Sequence, residues 1–133
     1  MGKLSYMSPE QAKFEGTTSL SDIFSLGLVL YELTTSTTVY QVDEWEELLE
    51  QMTNYSIAPP STLNPSIPKA LEYIIMKSLS IDPKDRFQSA REFSNALEEY
   101  MYNEGYGPTN EKLTEYLKTI YPKNNFEGII LKK

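Results

Sequence analysis

The sequence predicts an all-α fold. Three observations carry this. Apolar residues recur at helical spacing in five segments, no segment sustains the strict alternation of a strand, and Pro- and Gly-containing breaks separate the periodic stretches. The expectation is five helices plus a short one at residues 8–13.

The stretch "GKLSYMSPEQ", residues 2–11, is a turn signal in which Pro9 and Glu10 lead into the short helix. Residues 20–35 follow, with Ile23, Phe24, Leu26, Leu28, Val29, Leu30, Tyr31 and Leu33. A helix apolar on nearly every side is one meant to be enclosed. The S-x-x-D of Ser19 to Asp22 is expected to cap its start. Trp45, Leu48, Leu49 and Met52 make one helical stripe, started by Asp43 with Glu46 three residues on. Pro59, Pro60, Pro65 and Pro68 make residues 55–68 an extended connector. Leu71, Ile74, Ile75, Ser78 and Leu79 form the next stripe. Ser89 and Glu92 make a capping box before Phe93, Leu97 and Met101. A last helix carries Leu113, Tyr116, Leu117 and Ile120 and is expected to start at Thr109 or Asn110, after "GYGP". The closing "PKNNFEGIILKK" reads as a tail with one short strand or turn. The division is therefore residues 1–104, one helical domain, and residues 105–133, an extra C-terminal helix and tail.

Composition narrows the chemistry. The chain has 133 residues, of which 40% are apolar and 23% charged, enough for one domain with a core. It has no cysteine, which excludes disulfides, thiolate nucleophiles and Cys-ligated metals within these residues. It has no histidine, which removes the usual general base near neutral pH and the commonest metal ligand. A net charge of −7 argues against a basic face for nucleic acid. No apolar run follows Lys3, so there is no signal peptide pattern. The most apolar stretch, residues 23–33, is too short to span a bilayer and is interrupted by Glu32. The expectation is a soluble, cytoplasmic chain without a membrane segment.

Three pieces occur in fixed order: "SYMSPEQ", "SDIFSLGLVLYEL" and, far downstream, "IDPKDRF". Together they resemble the lower half of the C-terminal lobe of a bacterial, eukaryotic-like serine/threonine protein kinase. The resemblance covers roughly residues 2–100 and, more loosely, the helix at 109–121. It implies that Gly2 to Glu10 match the end of the activation segment. Gly2, Lys3, Leu4, Ser5 and Tyr6 then form the substrate-facing loop, and Ser8-Pro9-Glu10 match the A-P-E motif. The apolar helix matches the central helix of the lobe. The helix at 43–54 matches an outer helix that docks substrates and partners, with Trp45, Leu48 and Leu49 as docking candidates.

Read on charge alone, Glu10 and Arg86 are two solvent-exposed residues worth about 0–1 kcal/mol. The resemblance implies instead a buried ion pair tying the activation segment to the base of the lobe. A planar guanidinium gripping a carboxylate through two parallel bonds suits that role. The resemblance gives Asp22 the task of anchoring the catalytic loop, against the plainer reading of a carboxylate at a helix start. It gives Gly27 a close backbone approach, against a tolerated helix glycine costing about 1 kcal/mol relative to Ala. Lys3 departs from the family, which often has Thr there. Lysine cannot accept a hydrogen bond, so that position either works differently or is an exposed loop lysine.

Phosphoryl transfer needs a phosphate-covering Gly-rich loop, a lysine on the phosphates, metal-holding carboxylates and a residue that orients the hydroxyl. These 133 residues contain no G-x-G-x-x-G, no V-A-I-K, no H-R-D-L-x-x-x-N, no D-F-G and no G-x-x-x-x-G-K-[ST]. "GYGPTN" at 105–110 lacks the third glycine and follows a helix. No catalytic, cofactor-binding or metal-ligating residue is therefore expected in this chain, although the intact family uses ATP and Mg. The expectation is no kinase activity for this chain alone. Three roles remain open: a kinase remnant, a binding module using the substrate-facing loop and the docking helix, or a half that complements a separate upper-lobe chain. Apolar surface on the central helix 20–35 is expected to need cover from a protein partner, the remaining kinase portion or the tail. The tyrosines Tyr100, Tyr102, Tyr106, Tyr116 and Tyr121 are candidates for some of that cover, or pack as ordinary amphipathic residues.

Overall fold

The computed structural model describes residues 2–104 and 108–120, with side chains described for 4–104 and 110–119. The described residues are helices, short 3-10 turns and loops, without a strand. The helices are α1 (Gly2–Ser5), α2 (Pro9–Ala12), α3 (Ser19–Thr35), α4 (Trp45–Asn54), α5 (Lys69–Ser78), α6 (Ala90–Glu104) and α7 (Pro108–Ile120). The tail beyond α7, with its expected strand or turn, lies outside the described residues, as do Tyr106 and Tyr121.

Two helix starts differ from expectation for one physical reason: the cap that forms is the one whose partner is in reach. At α3 the cap is Thr18, not Ser19. The Thr18 hydroxyl accepts from the Leu20 amide at 3.1 Å, and the Ser21 hydroxyl accepts from the Thr18 amide at 3.1 Å. At α4 the cap position is Glu44. The Glu47 carboxylate, not Glu46, reaches back to the Asp43 and Glu44 amides. At α6 the Ser89 hydroxyl accepts from the Glu92 amide at 3.0 Å, while the Glu92 carboxylate accepts from Gln88. The last helix begins at Pro108, two positions before Asn110, and proline suits a first helical turn. The connector at 55–68 is extended apart from a 3-10 turn at Pro60–Thr62 and a short turn before α5.

α3 is the axis of the structure. It packs against α5, α6 and α7, and its Ile23, Phe24, Leu28 and Leu30 are almost fully buried. Gly27 sits where α3 meets α5. A Cβ there would stand 2.8 Å from the Ser78 Cβ and 3.0 Å from Leu79 Cδ2, so only glycine fits without a shift of one helix. α5 contributes Leu71, Ile74 and Ile75, and α6 contributes Phe93, Leu97 and Met101. Leu113 and Leu117 of α7 belong to the same core, so this helix packs onto α3 rather than standing apart. Tyr40 and Tyr100 are also buried, and burial pushes both phenols up to about 12. At Tyr100 the Glu104 charge adds to the rise and a hydrogen bond from Asn110 opposes it.

Candidate functional site

The site is built around α2, one helical turn long. Such a short helix cannot hold itself together, and its ends show what does. The Ser8 hydroxyl accepts from the Gln11 amide at 3.2 Å, the Gln11 side chain accepts from the Ser8 amide at 2.9 Å, and Pro9 fills the first helical position. Ser8 and Pro9 are buried. This closed box points Glu10 toward the base of the structure.

There Glu10 meets Arg86. Arg86 Nη1 lies 2.7 Å from Glu10 Oε2 and Nη2 lies 2.9 Å from Oε1, a bidentate pair. Nη1 also donates to the Leu20 carbonyl at 2.7 Å, Nη2 to the Ile81 carbonyl at 3.2 Å, and Nε to the Ser80 carbonyl at 2.8 Å. All five guanidinium donors are therefore used. Arg86 is 1% exposed, and its flat face lies over the Phe24 ring at 4.9 Å. A buried cation left short of partners would be strongly destabilising; this one is fully paired. On the carboxylate side, the Ser21 hydroxyl donates to Glu10 Oε2 at 2.8 Å. Burial alone would raise the Glu10 carboxyl. The Arg86 bonds, the residue's own amide and Ser21 outweigh that and hold it at about 2, below its ordinary 4.5.

Ahead of α2, Gly2 to Ser5 form one helical turn. The side chains of Gly2 and Lys3 lie outside the described residues. Leu4, Ser5 and Tyr6 are partly buried, and Leu4 and Tyr6 pack on the core. The segment is fixed to α3 twice. Ser25 Oγ donates to the Tyr6 carbonyl at 2.7 Å, and the Tyr6 hydroxyl donates to Glu32. That bond to Glu32, with burial and the carboxylate's charge, raises the Tyr6 phenol.

At the other end of α2, Trp45 Nε1 donates to the Ala12 carbonyl at 2.6 Å. Its ring packs against Phe14 at 5.4 Å between centroids. Phe14 has φ of 59°, a left-handed conformation uncommon for a bulky residue, and is 80% exposed. The docking reading does not hold for Leu48. The helical period that aligns Trp45, Leu48 and Met52 turns Leu48 fully inward, at 0% exposure. Leu49 is partly buried against the core, and only Trp45 is at the surface. Asp22 is exposed in the first turn of α3. It is not the cap; its amide donates to the Thr18 carbonyl at 3.3 Å, and its carboxylate makes no hydrogen bond among the described residues.

Reasoning from sequence singled out Glu10 and Arg86 but missed Ser21, Glu32, Ser25 and Phe14. The signal for Ser21 was present: T-x-x-S from Thr18 is a capping pattern one residue ahead of S-x-x-D. The three carbonyls that complete Arg86 carry no side-chain signal. Among the described residues no group of three or more acidic side chains is placed to hold a metal ion. No helix among them is long and apolar enough to cross a membrane.

Comparison with known proteins agrees with this geometry. The protein kinase domain family matches residues 1–99. Tyrosine-protein kinase MasK of Myxococcus xanthus is 32% identical over 125 residues, 94% of this chain and 19% of MasK. A probable serine/threonine-protein kinase of Clostridium perfringens is 38% identical over 98 residues, 74% of this chain and 14% of that protein. Serine/threonine-protein kinase PknB of Mycolicibacterium smegmatis is 32% identical over 113 residues, 85% of this chain and 18% of PknB. The chain thus spans less than a fifth of the length of these relatives. Its all-helical architecture is that of the lower half of a kinase C-terminal lobe, and the chain belongs to the protein kinase domain family, among bacterial serine/threonine kinase homologues.

Proposed function

We propose that this chain is the substrate-facing and scaffolding part of a serine/threonine protein kinase domain, and that these 133 residues alone neither bind ATP nor transfer phosphate. The observation that carries the reading is the Glu10–Arg86 pair. It holds α2, and with it the helical turn of Gly2 to Ser5, on the floor formed by α3 and the turn before Arg86. Tyr6, clamped by Ser25 and Glu32, ties the end of that turn to α3. Such a platform positions a protein substrate, and positioning is a large share of phosphoryl-transfer catalysis. The chemistry itself needs groups whose motifs these residues do not contain. ATP and Mg would act on residues outside this sequence. Asp22, whose exposed carboxylate makes no hydrogen bond among the described residues, and the partly buried face of α3 are where the remaining kinase portion would seat. A cytoplasmic setting fits a family that draws its phosphate from ATP.

The test is transfer of labelled phosphate from ATP by the purified 133-residue chain, alone and mixed with a kinase upper half. The expected result is no transfer alone. Transfer by the chain alone, lost when the chain is mutated, overturns the reading. A second reading, a protein-binding module, is favoured by the exposed Phe14–Trp45 pair beside the substrate-facing loop. Specific binding of a protein partner that survives Arg86→Lys but is lost in Trp45→Ala would favour it.

A further inference from the structure

A cavity of about 230 Å³ lies among the loop after α3, the end of α4 and the extended connector. No described residue lining it is charged, and three tyrosines, Tyr31, Tyr40 and Tyr55, contribute to its wall. Tyr40 is only 4% exposed. Its hydroxyl has no hydrogen-bond partner among the described residues and is not fully enclosed, so the accessible remainder of the side chain is its polar end, which opens on the cavity. The half-buried Gln51 side chain, in the same lining, has no partner among the described residues either. Tyr31 shows what such a group binds here. Its hydroxyl donates to the Ala58 carbonyl at 2.8 Å. Ala58 precedes Pro59 and Pro60, and Pro59, at φ −57° and ψ 141°, is close to polyproline II. One wall of the cavity is thus itself a proline segment held by a tyrosine hydroxyl. We propose that the cavity docks a second such segment, a neutral proline-rich stretch of a partner protein, with Tyr40 and Gln51 donating to its carbonyls.

Hydrogen bonding, shape and charge select this occupant. Polyproline II leaves its carbonyls free, and proline has no N–H. Such a segment accepts from Tyr40 and Gln51 and brings few donors of its own to be stranded. Pyrrolidine rings pack on aromatic surfaces, and the exposed Tyr55 and Leu63 extend that surface beyond the cavity. Residues 14–68, which include the whole lining, hold eight acidic residues and no lysine or arginine. An anionic segment is repelled there, and a cationic one would enter a lining that has no carboxylate to pair it. The cavity is smaller than the roughly 300–1,000 Å³ of sites for whole drug-sized ligands. It therefore takes one or two residues of a chain whose remainder lies on the surface. Its one contribution from α3, Tyr31, is buried and does not belong to the partly buried face assigned to the remaining kinase portion. The site is independent of the kinase reading.

The probe is an end-capped, uncharged peptide, Ala-Pro-Pro-Ala-Pro-Pro, titrated into the full 133-residue chain and followed by backbone amide NMR shifts. Saturable shifts centred on residues 37–41 and 51–58 are expected. The same peptide with serine for every proline should bind about tenfold more weakly. Tyr40→Phe should weaken binding of the proline peptide about two- to tenfold. It should do so without lowering the melting temperature, because the hydroxyl it removes has no partner in the folded chain to lose. Gln51→Ala should weaken binding by a similar factor. Shifts that do not saturate or that centre elsewhere, equal binding of the serine peptide, or a Tyr40→Phe chain that binds as tightly as the parent would each overturn the proposal.

Discussion

α2 is held at both ends by unlike means, and the contrast shows how this protein divides its stability. At its start, Glu10 enters a buried node in which one guanidinium uses every donor it has. At its end, Ala12 receives one hydrogen bond from Trp45, beside a phenylalanine left in solvent. The node is costly to damage because each member removed leaves a buried charge without its counter-charge. The aromatic end is cheap to damage because water can replace what is lost. The first contact fixes where α2 sits. The second leaves an exposed aromatic surface at the far end of α2.

Replacing Arg86 by Ala should break that contrast most. It strands Glu10 and should cost about 3–5 kcal/mol in urea unfolding, while Arg86→Lys should recover part of this by restoring charge without the bidentate fork. Acid should come next. Glu10 titrates at about 2 when folded against 4.5 ordinarily, so its contribution is complete above pH 4.5 and is lost as pH falls toward 2. The loss should be on the order of 2–3 kcal/mol, seen as a fall in melting temperature that Glu10→Gln no longer shows. Gly27→Ala tests a steric contact of neither kind. With only 2.8 Å to the Ser78 Cβ, the methyl must part α3 from α5 and should cost about 1–3 kcal/mol by chemical denaturation. Trp45→Phe should be mildest. It keeps an aromatic ring against Phe14 and loses one bond to Ala12, about 0.5–1.5 kcal/mol by the same measurement.

The helices were legible because their periodicity is strong, and the node was half legible because its two charges stand in recognisable motifs. The remainder is carried by groups without a sequence signature. Leu20, Ser80 and Ile81 contribute carbonyls, which every residue has. Ser21 does two jobs with one hydroxyl, accepting from Thr18 and donating to Glu10, and a cap pattern reveals the first only. Trp45, Leu48 and Leu49 fit both one apolar stripe and a docking face in the sequence. A stripe that faces the core cannot also face a partner, and burial decides the matter at Leu48. Phe14 gave no warning because its exposure follows from a left-handed turn that sequence does not mark there.

Arg86 also bears on how long the folded state lasts. Two of its partners, Leu20 and Glu10, are 66 and 76 residues away along the chain. Contacts that close such long loops demand much of the chain's freedom before they return anything, so they are completed late on the way to the native state. Interactions absent from the transition state govern the rate of escape rather than the rate of arrival. The guanidinium is therefore expected to act as a latch: it should do little to hasten folding, and it should set how rarely α2 and the helical turn before it come loose.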